Sequence, residues 1–262
     1  MRRSLRNDIK DSYFYVILAM CYSLPYVTPR CALDTPHKNV LLLDTSVFLP
    51  PTAKTKMKSA QFVRKLVASR MSTAHSNNLN ASLTDYYGHP AIGLRDSYDK
   101  PDVLDSYVDF VFDQDTIDDL QNFVKSKAGS KYKADFQQKT GDLFDLCSRR
   151  DIPVYMMANE PLRWCLPIAR YLDTRIPITK IICHDIANRI KPDLEMYHYA
   201  EWYVKMRENN ENVRIYYVDT RGINLMPAKK LSRWYPITLN TEDPCGCSSY
   251  DELTTFLRNH TR

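Results

Sequence analysis

The feature that most constrains this chain is a short apolar run, residues 39–43 (NVLLL), that ends at Asp44. A continuous apolar run of this length is typical of a strand buried on both faces of a parallel sheet. Similar runs precede Asn159 and Asp219. Each polar residue therefore falls where a buried strand gives way to a loop, which is the edge at which open α/β sheets bind ligands.

Further strand candidates alternate with helical patterns in the second half of the chain. The strand-like segments are 153–157, 178–183, 213–218 and 237–239. Strands that alternate with helices favour a parallel sheet with helices on both faces. We therefore predict an α/β fold, a Rossmann-like doubly wound parallel sheet, with residues 39–43 as its central strand.

The separation between the first two strands predicts an inserted segment. Roughly a hundred residues lie between them, far more than one crossover connection needs. Residues 56–70 and 115–129 have apolar side chains at helical spacing, whereas 71–102 is polar and reads as a long loop or irregular insertion. These patterns predict a mostly helical cap, residues 60–140, inserted into a core made of 39–59 and 141–262.

Residues 1–38 form a predicted N-terminal extension. Within it, residues 12–29 carry no charge and follow a basic start, which is the layout of a secretory signal peptide and predicts export. The alternative is an N-terminal helix added to a cytoplasmic protein. The run is short and interrupted by Pro25, so we expect no stable membrane span.

Composition narrows the range of partners. With 44% hydrophobic residues the chain can bury one sizeable core. The formal charge of +5 comes from 36 basic and 31 acidic residues that are spread along the chain. Since no basic block is visible, we predict no nucleic-acid partner, and the small excess is compatible with an anionic small substrate.

Three charged residues suggest a chemistry for the predicted sheet edge. A carboxylate at the end of a central strand, here Asp44, can act as a nucleophile. A phosphate that approaches it is repelled unless cations neutralise the charge. Lys191 can supply one cation, and the hard oxygen ligands of Asp44 and Asp219 can hold a magnesium ion.

Four segments resemble, in order, the motifs of the haloacid dehalogenase superfamily: LLLDTSVF (41–48), VYMMANEP (154–161), IICHDIANRIKPDLEMY (181–197) and YYVDTRGIN (216–224). The resemblance covers roughly residues 39–240. It implies a Rossmann-like core with a cap and a small phosphorylated substrate. It also implies the following roles: Asp44 as nucleophile, Lys191 as charge-neutralising lysine, Asp44 and Asp219 as magnesium ligands, and Ser46 and Asn159 as substrate-binding residues.

Departures from the family pattern leave three hypotheses open. Family phosphatases have an aspartate two residues after the nucleophile as acid and base, and its replacement by Ser46 predicts a loss of roughly 10²- to 10⁴-fold in rate. Thr220 likewise replaces a second acid, and Ala158 a hydroxyl residue. We predict a weak or specialised magnesium-dependent phosphatase. The alternative is a catalytically lapsed protein that binds a ligand or another protein. The third hypothesis is a dehalogenase-like enzyme, since halide leaves unprotonated, but an aromatic–glycine pair is missing after Asp44.

Overall fold

The computed structural model describes residues 37–50, 52–67, 73–98, 102–240 and 246–261. All described residues belong to one compact unit, Pro36–Arg262. The predicted signal peptide, residues 12–29, lies outside the described residues, so export stays a prediction.

Among the described residues, five strands form one sheet in which every pairing is parallel, in the order β3-β2-β1-β4-β5. The strands are β1 (Lys38–Asp44), β2 (Val154–Met157), β3 (Ile181–Ile182), β4 (Val213–Asp219) and β5 (Trp234–Thr238). The prediction of an α/β fold with the first strand at the centre of a parallel sheet is confirmed.

The register of the sheet aligns the carboxyl ends of its central strands. Leu43 of β1 lies opposite Met156 of β2 and Val218 of β4. The next residue along β1 and β4 is an aspartate in each case, Asp44 and Asp219. Both carboxylates therefore leave the sheet at the same edge.

Helices fill the connections between the strands. They are α1 (Thr45–Phe48), α2 (Ala53–Val67), α3 (Thr73–Tyr87), α4 (Pro90–Tyr98), α5 (Val103–Val111), α6 (Gln114–Lys125), α7 (Lys127–Arg149), α8 (Leu162–Tyr171), α9 (His184–Ala187), α10 (Leu194–Glu208), α11 (Gly222–Leu225) and α12 (Tyr250–His260). Two 3₁₀ turns, Ile178–Lys180 and Ala228–Lys230, flank β3 and β5.

The sheet is covered on both faces, because successive side chains of a strand point to opposite sides. Leu41 and Leu43 belong to a core cluster that includes residues of α2 and of α4 to α8, together with α12. Val40 and Leu42 belong to a second cluster that includes four residues of α10. Helices on both faces of a parallel sheet are compatible with a Rossmann-like fold.

The prediction of an irregular segment over residues 71–102 is wrong for its described part, which forms α3 and α4. The sequence of α3 is rich in Ser, Asn and Thr, which are weak helix formers, and it has no broad apolar stripe. Packing against α4 stabilises this helix despite its weak helix propensity. At Gly93 of α4, a Cβ would lie only 2.7 Å from Leu83 of α3, so the glycine permits the two helices to approach closely.

The predicted boundaries also fail at three other places. The helix expected to start at Asp115 begins at Gln114, with Asp113 as its N-cap, and it ends before Gly129. The third strand is only two residues long. The fifth strand begins at Trp234 and not at residue 237, because β5 is an edge strand and tolerates Pro236, which lacks a backbone N–H.

Within the part of the chain that the structure describes, no helix combines the length and the apolar character needed to cross a lipid bilayer.

Candidate functional site

Asp44 is the last residue of β1 and the N-cap of the short helix α1. One carboxylate oxygen, Oδ1, accepts hydrogen bonds from the backbone N–H of Ser46 at 2.8 Å and from the Ser46 hydroxyl. The other oxygen, Oδ2, contacts the ammonium group of Lys191. Asp44 is buried, with 6% of its surface exposed, so its charge depends on these partners.

Lys191 joins the two strand-end aspartates. It lies in the loop between α9 and α10 and is 1% exposed. Its Nζ contacts Asp44, lies 3.5 Å from Oδ2 of Asp219 and donates to the carbonyl oxygen of Met157 at 3.1 Å. The structure therefore brings together Asp44, Lys191 and Asp219, which the sequence predicted as one site. We call these three residues the edge cluster.

Asp219 is fully buried and accepts several hydrogen bonds. Its Oδ2 accepts from the Tyr217 hydroxyl at 2.5 Å and from the Asn224 amide at 3.0 Å. Its Oδ1 accepts from the backbone N–H of Arg221 at 2.9 Å. These donors, together with Lys191, hold the carboxylate in one orientation.

Burial dominates the electrostatics of the edge cluster. It lowers the pKa of the Lys191 ammonium to about 8, because lost hydration outweighs the attraction of Asp219. Burial and the charge of Asp219 raise the pKa of Tyr217, so this phenol stays protonated and remains a hydrogen-bond donor. At neutral pH, which is below the Lys191 pKa of about 8, the Lys191 side chain is therefore mostly an ammonium group.

The structure places the two predicted substrate-binding residues beside the edge cluster. Asn159 donates from Nδ2 to the carbonyl oxygen of Lys191 at 3.0 Å, and its Oδ1 accepts from the Lys191 N–H at 2.7 Å. The Ser46 hydroxyl contacts Asp44 and lies 2.7 Å from that of Thr220. Both side chains thus position cluster residues or their neighbours, and their contact with a substrate stays a prediction.

Glu160 is a neighbour to which the sequence assigned no role. Its Oε2 accepts a hydrogen bond at 2.6 Å from the hydroxyl of Thr45, the residue directly after Asp44 in the chain. Burial, and secondarily the charge of Asp219, raises the pKa of Glu160. Its position in the sequence could have identified it, since Glu160 follows β2 by three residues and thus lies at the same edge as Asp44.

Residues of the helical segment contact the loops at this edge. The Arg221 guanidinium donates to the carbonyl oxygen of Thr84 in α3 at 3.0 Å. His184, at the start of α9, lies 2.9 Å from the carboxylate of Asp105 in α5. Arg95 of α4 forms an ion pair with Asp193 at 2.7 Å. Helices α3 to α5 therefore lie against the carboxyl edge of the sheet.

The edge cluster, as arranged, does not fit the magnesium ion that the resemblance implies. Oδ2 of Asp219 already faces three donors, from Tyr217, Asn224 and Lys191, and Oδ1 faces the Arg221 N–H. Magnesium retains several water ligands, whereas Asp219 has no exposed surface. Among the described residues, no group of three or more His, Cys, Asp or Glu side chains is placed to hold a metal. The magnesium prediction gains no support from this geometry.

Comparison of the chain with models of known protein families gives no match. The resemblance to the haloacid dehalogenase superfamily therefore depends on the four motifs and on the arrangement of the residues within them.

The chemistry available to the edge cluster follows from its charges. The Asp44 carboxylate lies at the end of the central strand β1, and the Lys191 ammonium group that contacts it partly neutralises its charge. Such a carboxylate can attack an electrophilic phosphorus or carbon atom. Ser46 offers only a hydroxyl where a phosphatase of the resembled family has its proton donor. A leaving group that needs protonation therefore requires another acid.

Proposed function

We propose that this chain is a divergent member of the haloacid dehalogenase superfamily that slowly hydrolyses a small phosphate ester, with Asp44 as the nucleophile. The observation that carries the proposal is the contact of the Lys191 ammonium with Asp44 and its approach to Asp219, three residues remote in sequence that meet at one edge of a parallel sheet. No step of the proposal is routed through a metal ion.

The charges of the edge cluster support a nucleophilic role for Asp44. A phosphate dianion is repelled by a bare carboxylate, and a buried ammonium reduces that repulsion most where water is excluded. Lys191 is held for this purpose on two sides, by the backbone bonds to Asn159 and by the Met157 carbonyl. Positioning of this kind favours attack by Asp44 without reorganisation of the cation.

We further propose that helices α2 to α6 act as a cap over the site and select the substrate. The contacts of Thr84, Asp105 and Arg95 with loops at the carboxyl edge support this role. A cap in this place excludes water from the cluster, which strengthens its electrostatic interactions.

A second candidate is a catalytically lapsed protein of the same fold that binds a ligand without turning it over. The observation that favours it is the closure of the site by hydrogen bonds. The hydroxyls of Ser46 and Thr220, at positions where the family has acids, lie 2.7 Å apart, and both oxygens of Asp219 accept hydrogen bonds from the protein.

The experiment is a phosphate-release assay on aryl and alkyl phosphate monoesters, performed with magnesium chloride and separately with EDTA. The matched control is Asp151→Asn, the same chemical change at the opposite edge of the sheet, where Asp151 pairs with Lys38. We expect turnover by the wild type and by Asp151→Asn, and a loss of at least about 10³-fold in Asp44→Asn. Equal turnover by all three proteins would rule out Asp44 as the nucleophile, and no turnover by any of them would support the lapsed alternative.

A further inference from the structure

The proposed reaction lacks a proton donor at the position where the family supplies one. An alkoxide leaving group must be protonated as its bond to phosphorus breaks, and general acid assistance contributes about 10²- to 10⁴-fold. The Ser46 hydroxyl is a poor acid and already contacts both Asp44 and Thr220. Any efficient proton transfer therefore has to come from another group near Asp44.

Glu160 is the carboxyl group that the geometry favours for this purpose. It lies in the loop between β2 and α8, and its Oε2 is 2.6 Å from the hydroxyl of Thr45, the residue that follows Asp44. Its neighbour Asn159 is bound to the backbone of Lys191, which fixes the loop against the edge cluster. Glu160 is thus positioned by two separate links to the cluster.

Two features of its surroundings raise the pKa of Glu160, although the hydrogen bond from Thr45 acts in the opposite direction. Burial removes water from the carboxylate, and the negative charge of Asp219 opposes a second charge nearby, so the pKa of Glu160 is raised. The charge of Glu160 also acts on the pKa of Tyr107 in α5, Cys165 in α8 and Cys183 before α9.

We infer that Glu160 is the general acid and base of the site, in place of the acid that is absent at Ser46. The inference deepens the proposed hydrolysis and rests on it. Glu160 is the residue that determines whether substrates with poor leaving groups, such as alkyl phosphates, are turned over.

The reaction balances with water as the only co-reactant. A carboxylate oxygen of Asp44 forms a bond to phosphorus while the bond from phosphorus to the ester oxygen breaks, and that oxygen takes the proton of Glu160 and leaves as an alcohol. The resulting Glu160 carboxylate then takes a proton from a water molecule whose oxygen attacks the same phosphorus. The bond to Asp44 breaks, phosphate is released, and both residues return to their initial states.

The test compares Glu160→Gln and Glu160→Asp with the wild type on an alkyl phosphate and on a 4-nitrophenyl phosphate. The matched control is Glu195→Gln, because Glu195 is exposed in the first turn of α10. Rapid mixing measures the first release of alcohol or nitrophenolate, and steady-state assays measure complete turnover. Thermal unfolding of each variant establishes that it is folded.

We expect Glu160→Gln to slow the first step by about 10²- to 10⁴-fold for the alkyl phosphate and much less for the nitrophenyl ester, whose leaving group needs no proton. Steady-state turnover of both should fall, because the second step also needs a base. Glu160→Asp should retain more alkyl phosphate activity than Glu160→Gln, since it keeps a carboxyl group although its shape is less similar.

Three results would overturn the inference, and they are distinguishable. If Asp44→Asn abolishes turnover while Glu160→Gln lowers the first step equally for both esters, or leaves it unchanged, Glu160 has only a structural role and the proposed function survives. If Asp44→Asn is as active as the wild type, both proposals fail. A higher activity of Glu160→Gln than of Glu160→Asp on the alkyl phosphate also contradicts an acid role.

Discussion

Two lysines of this protein each face two aspartates, in very different surroundings. In the edge cluster, Lys191 meets Asp44 and Asp219, and all three side chains are buried. In the helical segment, Lys58 of α2 meets Asp113 and Asp115 at the start of α6. There the lysine side chain is 9% exposed, but those of the aspartates are 43% and 65% exposed.

The two lysines respond to these surroundings in opposite ways. Burial lowers the pKa of Lys191 to about 8. Burial also acts to lower the pKa of Lys58, but hydrogen bonds to Asp113 and Asp115 outweigh it, so this pKa is raised. For Lys191 the loss of hydration outweighs the attraction of its partner Asp219, whereas for Lys58 the two aspartates together outweigh it.

This contrast distinguishes an ion cluster that maintains structure from one that is a candidate for chemistry. A hydrated ion pair at the start of a helix contributes modestly to the stability of the fold. A buried cluster costs desolvation energy, so a well-packed apolar replacement is often as stable. Perturbed charged groups at a sheet edge therefore favour a functional role, and the two clusters should respond differently to mutation.

The largest effect on stability is expected from Asp219→Ala. This change leaves the Tyr217 hydroxyl, the Asn224 amide and the Arg221 N–H without their shared acceptor and removes a partner of Lys191. We expect a loss of about 3–5 kcal/mol in the free energy of unfolding, measured by urea denaturation. Asp115→Ala, in the hydrated cluster, should shift the urea midpoint far less. Similar midpoints for the two variants would contradict the contrast.

Next comes the effect of the lysines on activity. Lys191→Met should lower phosphate-ester turnover by about 10²- to 10³-fold, because the nucleophile loses its neutralising cation. Lys58→Met makes the same change outside the edge cluster and should leave turnover of the folded protein unchanged. Steady-state assays on both variants provide the comparison. Retention of full activity by Lys191→Met would remove the lysine from the mechanism.

A smaller loss of stability is expected from Asp113→Ala. Asp113 caps α6 by accepting from the Thr116 N–H at 3.0 Å, and it also pairs with Lys58. Loss of the cap should cost about 1–2 kcal/mol in the free energy of unfolding at neutral pH. A midpoint equal to that of the wild type would show that neither contact contributes.

Asp113→Ala also tests how the stability of the protein depends on pH. Burial would raise the pKa of Asp113, but hydrogen bonds from Lys58 and the Thr116 backbone lower it below its ordinary value of 3.8. A lowered pKa in the folded state gives stability that is present above pH 3.8 and is lost as the pH falls through the folded value. The difference between wild type and Asp113→Ala should therefore shrink in acid. A difference that grows on acidification would have the wrong sign.

The smallest effect is expected from Asp151→Asn. The Asp151 side chain is 91% exposed and pairs with Lys38 at 2.5 Å. Asparagine tolerates the positive φ of 51° at this position, so only the charge is removed. We expect less than about 1 kcal/mol from urea denaturation, and less at high salt. A larger loss would show that the exposure of an ion pair does not determine how much it contributes to the stability of this protein.

Sequence reasoning predicted the sheet well because its signal is local. A buried parallel strand such as β1 is a continuous apolar run, and the order of runs along the chain determines which aspartates reach the same edge. Helix α3 was missed because its stability comes from packing against α4 at Gly93, which no local pattern records. Strand β5 was misplaced because an edge strand can contain Pro236.

The sequence predicts which residues belong to the candidate site but not which contacts their side chains make. Order and spacing were enough to group Asp44, Lys191 and Asp219. The contacts of Asn159 with the Lys191 backbone, and the hydrogen bonds that Asp219 accepts, depend on side-chain directions in three dimensions. The same holds for Glu160, whose closeness to Thr45 requires β1 and β2 to be neighbours.

The most direct test of the account is to trap the covalent intermediate. Wild type and Glu160→Gln are mixed with 4-nitrophenyl phosphate, quenched in acid and digested, and the peptides are analysed by mass spectrometry. The account predicts a phosphoryl group on Asp44, with higher occupancy in Glu160→Gln because its second step is slow. Release of phosphate with no phosphoryl group on Asp44, or with the group on another residue, would contradict it.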